Sequence, residues 1–219
     1  MFRVARPGLV RLTGRSPGEI DTYFAELGPL HDRLRREVGS VRSAGALMQA
    51  PLLYVLVRAL GPKRVVETGI SSGYSARLIL EALERNGDGH LDSIGIDVFG
   101  LTRRPGDSAG ELEDRHVGWL VPDGLRHRWT LHLGRSEERL PALAVPGSRN
   151  LDLFVHDSLH QYATMRWEYA TALPAMPSGA LLCSHDVHAN RAWPEFLREH
   201  RLGGDEELDH DLGAVRLPR

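Results

Sequence analysis

The chain has 219 residues, 42% of them hydrophobic and 26% charged, with a formal net charge of −2. This is the balance of a globular chain with one main core rather than a disordered or membrane-embedded one, and it excludes the bulk basic surface that nucleic acid or an anionic membrane would select. The single cysteine, Cys183, excludes an internal disulfide framework and fits a reducing compartment. Neither the arginine-bearing stretch Met1 to Arg15 nor the longest apolar run, Ala50 to Val57, has the length of a signal or membrane segment, so a cytoplasmic protein is expected.

In chain order, the four arginines before Ser16 read as a solvated segment. Ser16-Pro17-Gly18-Glu19 is a helix start, with Ser16 as cap, Pro17 in the first turn and Glu19 completing a capping box. Ile20, Tyr23, Phe24 and Leu27 follow at helical spacing, a second helix is expected to carry Leu30, Leu34 and Val38, and a third runs from about Ala44 to Leu60. After Gly61-Pro62 the texture changes to short apolar runs alternating with helical patterns. Strands are predicted at Arg64 to Glu67, Leu91 to Asp97, Trp129 to Leu133, Leu151 to His156 and Ala180 to Ser184. Helices are predicted at Tyr74 to Arg85, Ser136 to Leu143, Gln161 to Ala175 and Ala192 to His200. That alternation specifies a parallel α/β sheet. A long insertion, Val98 to Arg128, interrupts it, and the tail around Ala214 to Leu217 holds one or two short strands.

The segment from Val65 to Ser75 sets Gly69 and Gly73 four apart between a buried strand and a helix. Glycine permits a sharp turn and close approach of a ligand. The spacing is not the G-x-G-x-x-G of dinucleotide enzymes, which disfavours a nicotinamide cofactor. The next strand ends in Asp97, where ribose hydroxyls would sit at the carboxyl edge of the sheet. Singly, the glycines make only a tight turn and Asp97 only a solvated strand end. In this order on consecutive strands they favour a nucleoside-containing ligand.

Glu67-Thr68-Gly69-Ile70-Ser71-Ser72-Gly73 fits the acidic-x-Gly-x-x-x-Gly motif, and the chain here resembles the class I S-adenosylmethionine-dependent methyltransferases. Gly73-Tyr74-Ser75, Gly134-Arg135-Ser136, Leu151 to Asp157 and the His185-Asp186 pair look like the branch of catechol-type and macrolide-sugar O-methyltransferases, over about Ala44 to Asn190. The resemblance implies a Rossmann-like, mostly parallel sheet of seven or slightly fewer strands flanked by helices. Residues 1–60 would be a helical cap and 61–219 the catalytic core, within one globular domain. It also implies that Gly69, Ser71 and Gly73 admit the methionine portion of S-adenosylmethionine, that Glu67 and Ser75 hold its amino and carboxylate ends, that Asp97 holds the ribose and that Ser136 lies near the adenine. Asp157 belongs to the same cofactor set. Glu137 departs from the amide this branch often carries beside the adenine.

A second constellation lies at the next two strand ends, His156-Asp157-Ser158-Leu159-His160 and Ser184-His185-Asp186-Val187-His188, and such carboxyl ends converge on the ligand crevice of an open α/β sheet. By resemblance, Asp157 is a metal-binding carboxylate, His160 a general base, and the His185-Asp186 pair completes a site for a divalent cation. His185 stands where the relatives carry a carboxylate, which disfavours magnesium and suits manganese, iron or zinc better. Alternatively the metal is lost and His160 and His185 move protons directly. His185 and Asp186 both serve only if the strand has already ended. The plain reading is that Asp157 caps the helix after it and that His156 and His188 are structural.

Trp119, Trp129, Trp167 and Trp193 read as packing residues, with Trp119 and Trp193 also placed to face a substrate; Cys183 reads as an inert core thiol. No Gly-x-Ser-x-Gly elbow surrounds Ser71, Ser72 or Ser158, which argues against an α/β-hydrolase. The expected activity is O-methylation of a natural-product-like small molecule, without a nucleic-acid or membrane partner. The family admits a homodimer, which no residue requires. The alternative is a non-catalytic S-adenosylmethionine-binding or assembly protein.

Overall fold

The computed structural model describes residues 5–38, 50–96, 117–209 and 211–218. Helix α1 (Arg6–Thr13) opens on Pro7 and ends at Gly14 in the left-handed region. The arginine-bearing segment before Ser16 is therefore not solvated chain: Leu9 and Leu12 are buried, Arg6 pairs with Asp21 at 2.9 Å, and Arg11 pairs with Glu206. The capping box forms as the spacing predicts, with Ser16 N–H donating to Glu19 at 2.9 Å and Glu19 N–H to the Ser16 hydroxyl at 3.3 Å. The two helices expected after it are one, α2 (Pro17–Val38), which runs through Pro29. Proline removes one intrahelical bond there, but Ile20, Leu27, Leu30 and Leu34 are all buried, and that burial holds the helix together. Helix α3 (Ala50–Leu60) follows; the predicted start near Ala44 lies outside the described residues.

The sheet elements are β1 (Arg64–Thr68), β2 (His90–Gly95), β3 (Trp129–Leu133), β4 (Leu153–His156), β5 (Leu181–Ser184), β6 (Glu206–Asp209) and β7 (Leu212–Arg216). Helices α4 (Tyr74–Asn86), α5 (Ser136–Leu143), α6 (Tyr162–Ala172) and α7 (Ala192–Glu199) connect them. The seven strands run in the order β3-β2-β1-β4-β5-β7-β6, with β7 antiparallel to both its neighbours and the remaining pairs parallel. This is the predicted Rossmann-like α/β architecture, and the uncertain tail is the antiparallel β6–β7 hairpin.

Strand residues alternate between two cores because successive side chains leave opposite faces. Val65, Leu153, Val155 and Cys183 pack with α3 and α4, whereas Val66, Phe154 and Leu182 pack with α6 and α7. Burial pushes the Cys183 thiol up, consistent with an inert core residue. Among the tryptophans, Trp129 donates to Ser93 at 2.8 Å and Trp193 is packed on Gly213. Among the described residues no helix is long and apolar enough to cross a membrane.

The strand order reverses between β1 and β4, whose last residues Thr68 and His156 are register partners. A crevice opens at the carboxyl ends of strands at such a reversal. The segments that leave β1 and β4 carry the two constellations singled out in the sequence.

Candidate active site

At the end of β1 the chain turns through Gly69 to Gly73 into α4. Both glycines have positive φ, 85° and 84°, a region that costs a side-chain-bearing residue roughly 1–2 kcal/mol. A Cβ on Gly69 would lie 1.9 Å from the Asp157 carbonyl oxygen, and one on Gly73 would lie 2.9 Å from Gly118 Cα. The glycines are thus required first by the protein's own backbone: β1 and β4 exits touch at Gly69, and the segment after residue 116 touches at Gly73. Backbone bonds fix the turn further, from Gly69 N–H to Ile94 O at 2.8 Å and from Gly118 N–H to Ser71 O at 2.9 Å.

Behind this turn Glu67 is fully buried and both its oxygens are engaged, by Ser75 at 3.0 Å and Ser93 at 2.6 Å. Burial raises its pKa to about 7, against the lowering effect of the two hydroxyls. A cavity of about 650 Å³ lies in front, bounded by Gly69, Ser71, Ser75, Gly95, Ser136 and the segment 157–160, within the usual volume of a small-ligand site of about 300–1,000 Å³. Glu67 and Gly73 do not line it, and Asp97 lies outside the described residues, directly after the cavity-lining Ile96. Tyr74 is among the residues lining the cavity; its hydroxyl is buried with no hydrogen-bond partner among the described residues, and burial lifts its pKa to about 12.

At the opposite wall β4 ends at His156 and β5 at Ser184, so His185 and Asp186 both follow the strand. They nonetheless separate. His185 is 2% exposed, and its Nδ1 stands 3.7 Å from Asp157 Oδ1, beyond hydrogen-bond reach. Asp186 takes a φ of 50° and turns its carboxylate to the cavity, where His160 Nδ1 lies 3.1 Å from its Oδ2. His160 Nε2 is 3.6 Å from Asp157 Oδ1. Asp157, chiefly, and Asp186 raise the His160 pKa above its ordinary value, against partial burial. The residues whose ligating atoms all lie within 4.8 Å of one another are Asp157, His160 and Asp186. The imidazole of the metal-capable set is that of His160, while His185 lies beneath it in the protein interior. His188 is exposed and paired with Glu207 at 3.0 Å.

Glu168 belongs to neither constellation of the sequence. This carboxylate on α6 is fully buried and accepts from His156 Nδ1 at 2.6 Å, from Ser158 at 2.7 Å, and from Thr68 and Ser136. Burial alone would raise its pKa, but these bonds, led by His156, hold it below the usual carboxylate range. A signal was present: Glu168 falls on the buried face formed by Met165, Tyr169 and Ala172, and a charged residue on the apolar face of a helix calls for a partner.

Among solved structures, the chain is similar to the O-methyltransferase TomG from Streptomyces achromogenes, involved in tomaymycin synthesis and determined with S-adenosylmethionine (21% identity, 91% of this chain and 95% of that one, TM-score 0.57). It is similar as well to an O-methyltransferase from Bacillus cereus in complex with S-adenosylhomocysteine (13%, 90% and 91%, 0.59) and to the O-methyltransferase NovP (18%, 80% and 81%, 0.55). At these identities the likeness is one of fold. No curated protein sequence matches significantly. A family model described as a methyltransferase domain matches residues 66–187, more than half of the chain and the whole span from the glycine turn to the strand-end carboxylates, so this chain belongs to that methyltransferase family.

Proposed function

We propose that the protein transfers the methyl group of S-adenosylmethionine to a hydroxyl of a small, natural-product-like molecule, with His160 as general base. The observation that carries this reading is that Asp157, His160 and Asp186 converge on the same cavity that the glycine turn, Ser75 and Ser136 border. The residues fit the cofactor: the volume suffices, and Ser71, Ser75, Ser136 and Asp157 offer polar contacts, with Glu67 acting from behind by fixing Ser75. Asp97 keeps the ribose role on its sequence position alone. When bound, S-adenosylmethionine supplies a methyl carbon made electrophilic by its sulfonium.

The chain's part is to align the acceptor oxygen with that carbon and to take its proton. Orientation of this kind supplies about 7–11 kcal/mol in favourable cases. His160 would take the acceptor's hydroxyl proton, and Asp157 and Asp186 would stabilise the imidazolium so formed. The same three side chains would hold a divalent cation, for which two carboxylates and one imidazole suit manganese, iron or zinc better than magnesium; such an ion would lower the hydroxyl pKa. His160 is therefore the residue on which proton transfer and metal assistance divide, a role the sequence reading gave to His185. The His185 departure, which had favoured a non-catalytic binding protein, lies off the cavity and leaves its carboxylates in place.

Isothermal calorimetry with S-adenosylmethionine is expected to show saturable binding, and absence of binding at millimolar ligand would sink the reading. Turnover measured before and after dialysis against a chelator assigns His160 its role: full retention supports the base, and loss restored by manganese supports the metal.

A further inference from the structure

We infer that Glu168 is a positioning residue that fixes the cofactor end of the cavity relative to its proton-transfer end. The inference rests on the reading of the cavity as an S-adenosylmethionine site. Its basis is where the four donors to Glu168 come from. Thr68 is the last residue of β1, Ser136 the first of α5, His156 the last of β4, and Ser158 stands between Asp157 and His160. Thr68, Ser136 and Ser158 are also part of the cavity wall. One carboxylate behind that wall thus ties together three elements that meet the ligand at different points, and Thr164, one helical turn before it on α6, reaches the cavity directly.

Nothing about packing alone calls for a carboxylate here. Glu168 is fully buried, and among the described residues its ion-pair partner is His156, which is fully buried as well. Replacing such a pair by apolar side chains of similar volume is often neutral or stabilising. A carboxylate instead accepts several directional bonds at once, and a satisfied buried polar network specifies one arrangement of its members. The link to the proton-transfer end is short on two routes. Ser158 is two residues from His160, and the His156 ring meets the His160 ring edge to face at 5.5 Å between centroids. Reorientation at Ser136 or Thr68 is therefore transmitted through Glu168 to the segment that aims His160.

The test is calorimetry with S-adenosylhomocysteine on the full chain carrying Glu168→Gln, Thr68→Val, or both, together with imidazole ¹⁵N–¹H spectra of each. Glu168→Gln is expected to weaken binding by about fivefold or more, and Thr68→Val to weaken it less, by about two- to threefold. The double variant should bind about as Glu168→Gln does, because the hydroxyl acts through the carboxylate. The His160 signals should move on saturation in the wild type and by less than half as much in Glu168→Gln. Affinity within about twofold of wild type in a folded Glu168→Gln protein, multiplicative losses in the double variant, or an unchanged His160 response would each overturn the inference. If Glu168→Gln does not fold, Thr68→Val and Ser158→Ala each take one donor from the carboxylate, and wild-type affinity in both overturns it equally. A wild type that does not bind S-adenosylhomocysteine removes the cofactor reading itself, and this inference with it.

Discussion

The two walls of the cavity are built on opposite principles. Around the glycine turn the carboxylate and the backbone are internally satisfied: Glu67 by Ser75 and Ser93, Ser93 in turn by Trp129, and the turn backbone by Ile94 and by Gly118. At the ends of β4 and β5 the reverse holds. His160 keeps a buried Nε2 without a hydrogen-bond partner among the described residues, and the Asp157 and Asp186 carboxylates stay partly open to the cavity. An unsatisfied buried donor or acceptor costs about 1–3 kcal/mol, and such groups are kept where they act on a ligand. The first wall holds shape; the second holds reactivity.

Substitutions should separate the two. The largest expected effect is on the reactive wall: His160→Ala should lower turnover by about 10²- to 10⁴-fold while calorimetry finds S-adenosylhomocysteine affinity nearly unchanged. Undiminished turnover would remove His160 from the chemistry. On the shape-holding wall Gly69→Ala should do the opposite, destabilising the fold by about 3 kcal/mol or more, since the new Cβ meets the Asp157 backbone at a strained φ. Urea unfolding checks this, and a variant as stable as wild type would show that the β4 exit yields.

The next effect is a pH dependence. Because Glu67 is raised from 4.5 to about 7, the folded protein keeps a proton there that the unfolded chain has already released. Its contribution to stability is full below pH 4.5 and is lost as pH rises through about 7, a change of about 3 kcal/mol. Glu67→Gln should flatten that part of the stability profile, and unfolding midpoints at pH 5 and pH 8 that shift alike in both proteins would contradict it. The smallest effect belongs to neither wall: Ser16→Ala, which removes the α2 cap, should cost about 1 kcal/mol and leave binding untouched.

What could be read from the sequence follows the same division. The β1 turn was legible because its backbone geometry demands glycine at two fixed positions. The extent of α5 was likewise legible, from Ser136 to Leu143. The pairing of His160 with Asp157 and Asp186 rather than with the neighbouring His185 was not, because it depends on the left-handed φ at Asp186, which no spacing encodes. Glu168 escaped because its partners are spread over β1, α5 and β4. Helix α1 was masked by its arginines, and the continuity of α2 by Pro29, in both cases because burial against the rest of the fold outweighs local preference.

Helix α1 lies against β6, the last strand of the sheet, and is held there by Arg11 on Glu206, by the Arg216 guanidinium donating to Leu12 O at 2.9 Å, and by Gly8, whose missing side chain lets Leu208 close in. Leu9 and Leu12 share one hydrophobic core with Leu208 and Leu212 of the last two strands. The arginine-bearing segment that looked like loose solvated chain is thus a clasp, tying the described start of the chain to its closing hairpin.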